Sequence, residues 1–229
     1  PRATGREMHI LARRVRAKGP TMNDPTVTLY HAPHTRSSGV LFLLEELGAP
    51  YRLHVLDQKA GAHRAADYLA VNPMGKVPAL RDATGAVVTE QVAIMLHLAD
   101  LFPAAGLAPP VGDALRGPYL RWMVFYAAAF EPAVVDRASG HEPVRRAMSP
   151  YGEYDTVMDA VSAALTPGPY LLGERFSAAD VLWGTALGWT TSFKVVPERP
   201  EFMDYIRRVG GRPAALRARA QDADLASAG

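Results

Sequence analysis

Three short stretches carry groups that could do chemistry. Pro33-His34-Thr35-Arg36-Ser37-Ser38 places three hydroxyls and a guanidinium directly ahead of an apolar run. A hydroxyl at a helix N-terminus stabilises an anion twice, by donating a hydrogen bond to the charged form and by sitting at the positive end of the dipole. The same hydroxyls suit plain helix capping, and Ser37 is best placed for the N-cap. Asn72-Pro73-Met74-Gly75-Lys76-Val77-Pro78-Ala79-Leu80 turns into a strand through a proline, which cannot donate to a sheet ladder. A cis Val77-Pro78 bond would free the backbone of Val77 to pair with an extended peptide laid beside it. An ordinary proline-initiated strand is the other reading. Thr89-Glu90-Gln91 then opens an apolar helical run, where free N–H groups favour an anion.

The elements that must position these groups are legible as patterns. Thr26 to His31 alternates as a strand between Pro25 and Pro33, and Val40 to Leu47 is a periodic apolar run stopped by Gly48 and Pro50. Tyr51 to Leu56 alternates again, completing a strand-helix-strand unit. A short helix over 63–71 precedes the Pro78 strand, Asp82-Ala83-Thr84-Gly85 turns the chain, Ala86 to Thr89 pairs back, and a helix runs from Glu90 to Leu101. The order βαβαββα predicts a thioredoxin-like α/β domain over 25–102. Pro103, Pro109 and Pro110 mark a linker over 103–112. Beyond it helical spacing covers 113–138, 149–165, 177–192, 201–209 and 213–223, predicting an all-helical domain over 113–229. Ser177 and Asp180 form a capping box at one of these starts, a structural role worth about 1 kcal/mol.

Composition narrows the chemistry. The chain of 229 residues has no cysteine, which excludes disulfides, thiolate zinc sites, Cys-x-x-Cys redox motifs and a cysteine nucleophile. His31 and His34 flank Pro33 without a third ligand nearby, so no metal site is expected. Residues 1–24 hold six basic residues (Arg2, Arg6, Arg13, Arg14, Arg16, Lys18) against Glu7 and Asp24, while the rest carries 19 basic and 21 acidic ones. The basic balance thus resides in an extension ahead of Met22, and the body gives no reason to expect nucleic acid as a partner. No apolar run is long enough for a helical membrane span, so no membrane partner is expected.

Asn72 to Leu80 together with Thr89-Glu90-Gln91-Val92-Ala93-Ile94 resembles the glutathione-binding signature of the glutathione S-transferase superfamily, over nearly everything from 26 to 220. The resemblance implies a cis Val77-Pro78 bond, and glutathione held by Lys76, Val77, Pro78, Glu90 and Gln91. Val77 would pair with the cysteinyl unit and the Glu90-Gln91 pair would hold the γ-glutamyl end. Gln91 departs from the usual serine. A free thiol has a pKa near ~8.5, so an enzyme using glutathione must stabilise the thiolate. The resemblance points to Thr35, two residues after the strand-ending proline, as the activating hydroxyl, with Ser37 as competitor and Arg36 meeting a carboxylate or steadying the anion.

Tyr119, Trp122, Met123, Tyr126 and Phe130 recur at i, i+3, i+4, i+7 and i+11, a helical stripe that reads as core. In the family the corresponding helix lines the pocket for an electrophile, which makes Tyr119, Trp122, Met123 and Tyr126 the candidates for that wall. Trp183 and Trp189 read as packing. The resemblance further implies a cytoplasmic homodimer that conjugates glutathione to a small apolar electrophile, as in detoxification. A non-catalytic binding or assembly protein of the same fold, and a glutathione-dependent isomerase or dehalogenase, are the alternatives.

Overall fold

The computed structural model of the protein describes residues 26–141 and 145–227. The basic extension over 1–24 lies outside them. The first half of the described chain is β1 (Val27–His31), α1 (Ser37–Leu47), β2 (Tyr51–Val55), the short α2 (Ala66–Leu69), β3 (Ala79–Arg81), β4 (Val87–Thr89) and α3 (Gln91–Leu101). That is the predicted βαβαββα order. The sheet runs β2-β1-β3-β4, with β1 parallel to β2 and both β3 pairings antiparallel. The Val77-Pro78 bond is cis, and strand pairing begins one residue later at Ala79.

Helix α1 shows why the two halves cannot be separated cleanly. Its sequence is apolar on nearly every side after Ser38, and Ser37 and Gly39 through Glu45 are all buried. It packs on β1, α3, α7 and α9. Gly39 is the point of closest approach: a Cβ there would meet Gln91 Nε2 at 2.9 Å and Thr185 at 3.5 Å.

The second half is helical: α4 (Arg116–Phe125), α5 (Glu131–Ser139), α6 (Tyr154–Leu165), α7 (Ala178–Ser192), α8 (Pro200–Gly210) and α9 (Pro213–Ser227). The single helix expected over 113–138 is interrupted by a π-helical turn at Tyr126–Phe130. Pro132 supplies the reason: it lacks an N–H, its ring collides with the carbonyl four residues back, and a widened turn relieves both. Trp183 of α7 is fully buried at the centre of this half. Trp122, Tyr126 and Phe130 pack around it with ring centroids at 5.6, 5.8 and 4.8 Å, and its indole N–H donates to the Trp122 carbonyl at 3.0 Å. The proline-rich segment after α3 is stitched down too, since Leu107 is buried and its carbonyl accepts the Ala178 N–H at 2.8 Å.

The start of α7 holds the buried carboxylate expected from the capping box, with more bonds than a surface cap makes. Asp180 Oδ2 accepts from the N–H and hydroxyl of Ser177 at 2.8 and 2.9 Å. Its Oδ1 accepts from the Leu171 N–H at 2.9 Å and the Tyr205 hydroxyl at 2.8 Å. Burial pushes this carboxyl up, against the pull of those donors. Asp180→Ala strands several buried donors at once, so it is expected to lower unfolding free energy by about 3 kcal/mol or more, well beyond an ordinary cap. Asp180→Asn, which keeps one acceptor oxygen, should lose less. Urea unfolding of the three proteins checks both.

Candidate functional site

The strand register gathers the chemical stretches at one end of the sheet. Tyr30 pairs with Ala79, and Ala79 with Thr89. His31 onward, Val77-Pro78 and Glu90-Gln91 therefore all leave the sheet at the same edge. Two residues there have left-handed backbones that side chains rarely adopt: His34 at φ 57° and Glu90 at φ 68°. Such conformations cost roughly 1–3 kcal/mol each and persist where the surroundings over-determine them.

A cavity of about 380 Å³ opens at this edge, between the α1 N-terminus and the helical half. Its polar side is His34, Thr35, Arg36, Ser38, Gln91 and Asp222; its apolar side is Tyr126, Leu182, Thr185, Ala186, Trp189 and Phe193. Lys76, Val77, Pro78 and Glu90 do not line it. Pro78 is buried, the Lys76 and Glu90 side chains are exposed, and the Lys76 carbonyl accepts from Tyr68 at 2.5 Å and Asn72 at 2.7 Å. Gln91 is turned back on α1, its amide donating to the Arg36 carbonyl at 3.0 Å while its buried Oε1 has no protein partner.

The structure departs from the expected capping role of Ser37. Ser37 is not the cap: α1 begins without a side-chain cap from Arg36, and Ser37 lies one residue inside, fully buried. Thr35 does the local bonding instead, accepting the Ser37 N–H at 3.2 Å and donating to the Ala32 carbonyl at 2.7 Å. Ser37 Oγ sits 2.7 Å from Thr35 Oγ1 and 2.8 Å from His31 Nδ1, and accepts the Ala32 N–H at 3.1 Å. Ser38 Oγ donates to Asp222 at 3.0 Å. Thr35 alone of the Thr35/Ser37 pair reaches the cavity wall.

Asp222 comes from α9, nearly two hundred residues downstream, and no motif announces it. It lies where it does because α9 is clamped along α1, with Arg217 on Glu45 at 2.7 Å and Arg212 on Glu46 at 2.6 Å. Its carboxylate accepts the His34 N–H at 3.0 Å and lies 3.0 Å from His31 Nε2, although off the axis of that ring N–H. Burial alone would push Asp222 up; the side chain of His31, the His34 N–H and the Ser38 hydroxyl outweigh it and hold the carboxyl below its usual value.

The apolar wall is a correction. Tyr119 and Met123 are fully buried and Trp122 nearly so, all three within the aromatic core, and only Tyr126 of the expected set lines the cavity. The wall is supplied by α7 and the residue after it, where Leu182, Thr185, Ala186, Trp189 and Phe193 repeat the same i, i+3, i+4, i+7, i+11 spacing. Trp189, expected to be packing, is 46% exposed, and Phe193 is 64% exposed. Their rings meet edge to face at 5.2 Å, and the Arg36 guanidinium lies over Trp189 at 5.3 Å. Arg36 is also ion-paired with Glu131 of α5. Burial first, then the Glu131 carboxylate, pushes the Tyr126 phenol far up, so it stays a neutral donor.

Residues 36–101 match the model of the glutathione S-transferase N-terminal domain. The chain is 30% identical over 192 residues to the glutathione S-transferase GstA of Escherichia coli O157:H7, covering 81% of this chain and 93% of that protein. It belongs to the glutathione S-transferase family. A glutathione transferase structure from Methylococcus capsulatus superposes with a TM-score of 0.74 at 32% identity, over 86% of this chain and 98% of the other. A Sulfitobacter glutathione transferase homologue, solved with bound glutathione, gives 0.68 at 26% identity over 87% and 99%.

The Asp222 contacts tie α9 to the site, and their strength depends on pH. A carboxylate whose folded pKa is depressed contributes stability that is present above its unfolded pKa of ~3.9 and is lost as pH falls through the folded value. The stability gap between the wild type and Asp222→Ala is therefore expected to be full above about pH 5 and to close below about pH 4. Urea unfolding at a series of pH values reads it directly.

Proposed function

We propose that this protein is a glutathione transferase in the catalytic sense, conjugating the glutathione thiolate to a small apolar electrophile. The supporting observation is the continuity of one cavity, whose polar side holds Thr35 and Arg36 at the start of α1 and whose other side offers the Trp189 and Phe193 faces. Glutathione would lie along the sheet edge, its cysteinyl unit against the Val77 backbone ahead of the ladder and its γ-glutamyl end at the start of α3. In that place the strained Glu90 and the unpartnered Gln91 Oε1 supply acceptors for the amino group. The sulfur would then face Thr35, where a hydroxyl donor and the α1 dipole both favour the anion. Arg36 supplies positive charge beside it, and the aromatic wall keeps water from the acceptor carbon.

A binding protein without turnover is favoured by one observation, that the Thr35 hydroxyl is already engaged with Ala32 and Ser37. Assembly as a two-fold dimer in the cytoplasm belongs to the transferase reading. No helix among the described residues is long and apolar enough to cross a membrane.

Retention on glutathione resin followed by a conjugation assay separates the readings: retention with turnover is expected, retention without it favours the binding protein, and no retention removes both. Thr35→Val should cut kcat/KM about ten- to a hundredfold, the scale of one or two kcal/mol of anion stabilisation. A folded Thr35→Val with full activity would remove Thr35 from the role. Light scattering should give a mass twice the 24.7 kDa of one chain.

A further inference from the structure

Two buried groups behind Thr35 have no place in the mechanism so far. His31 and Ser37 are both fully inaccessible: Ser37 Oγ is hydrogen-bonded to His31 Nδ1 at 2.8 Å, and the Asp222 carboxylate lies 3.0 Å from His31 Nε2 as a charge neighbour, off the axis of its N–H. Ser37 cannot act as a nucleophile from there, because no substrate reaches it. Its Oγ is, however, 2.7 Å from Thr35 Oγ1, and Thr35 lines the cavity.

Proton accounting gives the line from Thr35 through Ser37 to His31 a direction. Two hydroxyl oxygens at 2.7 Å hold a hydrogen between them, and each hydroxyl has only one to give. The line therefore has two polarities. Pointing inward, Thr35 turns its proton from the Ala32 carbonyl to Ser37, and Ser37 donates to the bare Nδ1 of a neutral His31, whose Nε2 keeps its proton beside the Asp222 carboxylate without hydrogen-bonding to it. Pointing outward, an imidazolium donates from Nδ1 to Ser37, Ser37 donates to Thr35, and the Thr35 hydroxyl is free to donate into the cavity. The charged and titratable groups facing His31 are Asp222 from α9 and, across that carboxylate, His34 with Nδ1 at 3.3 Å from Oδ2.

We infer that His31 is the internal acceptor of the glutathione thiol proton, reached through Thr35 and Ser37, with Asp222 as its counter-ion. The inference rests on the reading that the glutathione sulfur faces Thr35. As the S–H bond breaks, its proton joins Thr35 Oγ1, the original Thr35 proton passes to Ser37 Oγ, and the Ser37 proton passes to His31 Nδ1. Atoms and charge balance: a thiol and a neutral imidazole become a thiolate and an imidazolium, and the reversed line ends on a hydroxyl donating to sulfur. Asp222 is an ionised carboxylate in the folded protein, which lowers the cost of the charge on the buried ring. His31 and Asp222 act through other groups and are positioning residues.

The wild-type protein itself provides the first test. Side-chain nitrogen NMR of His31 is recorded with glutathione and with S-methylglutathione, which has no thiol proton. Glutathione should convert His31 to the doubly protonated imidazolium, while S-methylglutathione leaves it neutral. The same His31 signal with both peptides overturns the proposal while leaving the transferase reading intact. If calorimetry detects binding of neither peptide, the transferase reading falls and this proposal with it. In a folded His31→Gln variant, the bound thiol pKa, followed by thiolate ultraviolet absorption, should rise by about one unit, a tenfold loss of thiolate at a given pH below it. S-methylglutathione affinity should hold within about twofold, since that peptide makes no use of the line. An unmoved thiol pKa in that variant would also overturn it.

Discussion

Helix α1 has almost no solvent face, and its burial on every side is the constraint from which the site follows. A helix buried against a sheet, α3, α7 and α9 at once must be apolar around most of its circumference and must bring its few polar groups to partners. Its C-terminal end does so through Glu45 and Glu46, paired with Arg217 and Arg212. These partly exposed pairs add little net stability, but they fix the register of α9 along α1. That register carries Asp222 to the N-terminal end of α1, where it meets the turn after β1. A contact at one end of the helix thus sets the electrostatics at the other.

Much of this was legible as pattern. The βαβαββα order, the helical second half and the structural nature of the Asp180 cap all follow from local signals: alternation, periodicity, turn residues and a capping box. Helix boundaries agree closely wherever a glycine or proline punctuates them, as at Gly48, and less well at 113–138, where Pro132 forces a π turn. What periodicity cannot show is which of two equal stripes faces a cavity. The stripes beginning at Tyr119 and at Leu182 have the same spacing, and the bulkier one was drawn into the core around Trp183, where large rings bury the most area. Helix α7 is apolar nearly all round because one face meets the core and another meets the cavity. The signal that could have found the cavity face was Thr185 beside Trp189, a polar residue and an amphipathic ring on one stripe.

The hydroxyl segment shows a different limit. Ser37 resembles an N-cap by its place in the sequence, because capping preferences are local. The identity of a cap depends on the last residue to leave the helical backbone, and here Arg36 is already helical, with φ −57° and ψ −21°. Ser37 is thereby rotated into the interior, and Thr35 inherits the bond to a free N–H at the start of α1. His31 ends a strand and has no metal partner signal beyond His34, so nothing local marks its place on the strand position that points beneath the turn. Asp222 had no local signal at all, since its role depends on a contact across nearly the whole chain.

The relation between Thr35 and its neighbours bears on how a hydroxyl of ordinary acidity can hold a thiolate. A lone threonine at a helix start has three calls on it: the N–H behind it, the carbonyl beside it and the anion in front. In this protein the first is met by Oγ1 as acceptor, which leaves its single proton to choose between Ala32 and the cavity. A donor arriving from Ser37 tips that choice, because an oxygen that accepts a second hydrogen bond becomes a better donor along the line. The Ala32 carbonyl lies 2.7 Å from the Thr35 hydroxyl and 3.0 Å from the Ser37 hydroxyl, but each hydroxyl has one proton, so a line that points outward withdraws both from that carbonyl. Turning Thr35 towards an anion therefore costs the bond to Ala32, and the charge-assisted bond to a thiolate, stronger than a neutral one, is what offsets that loss.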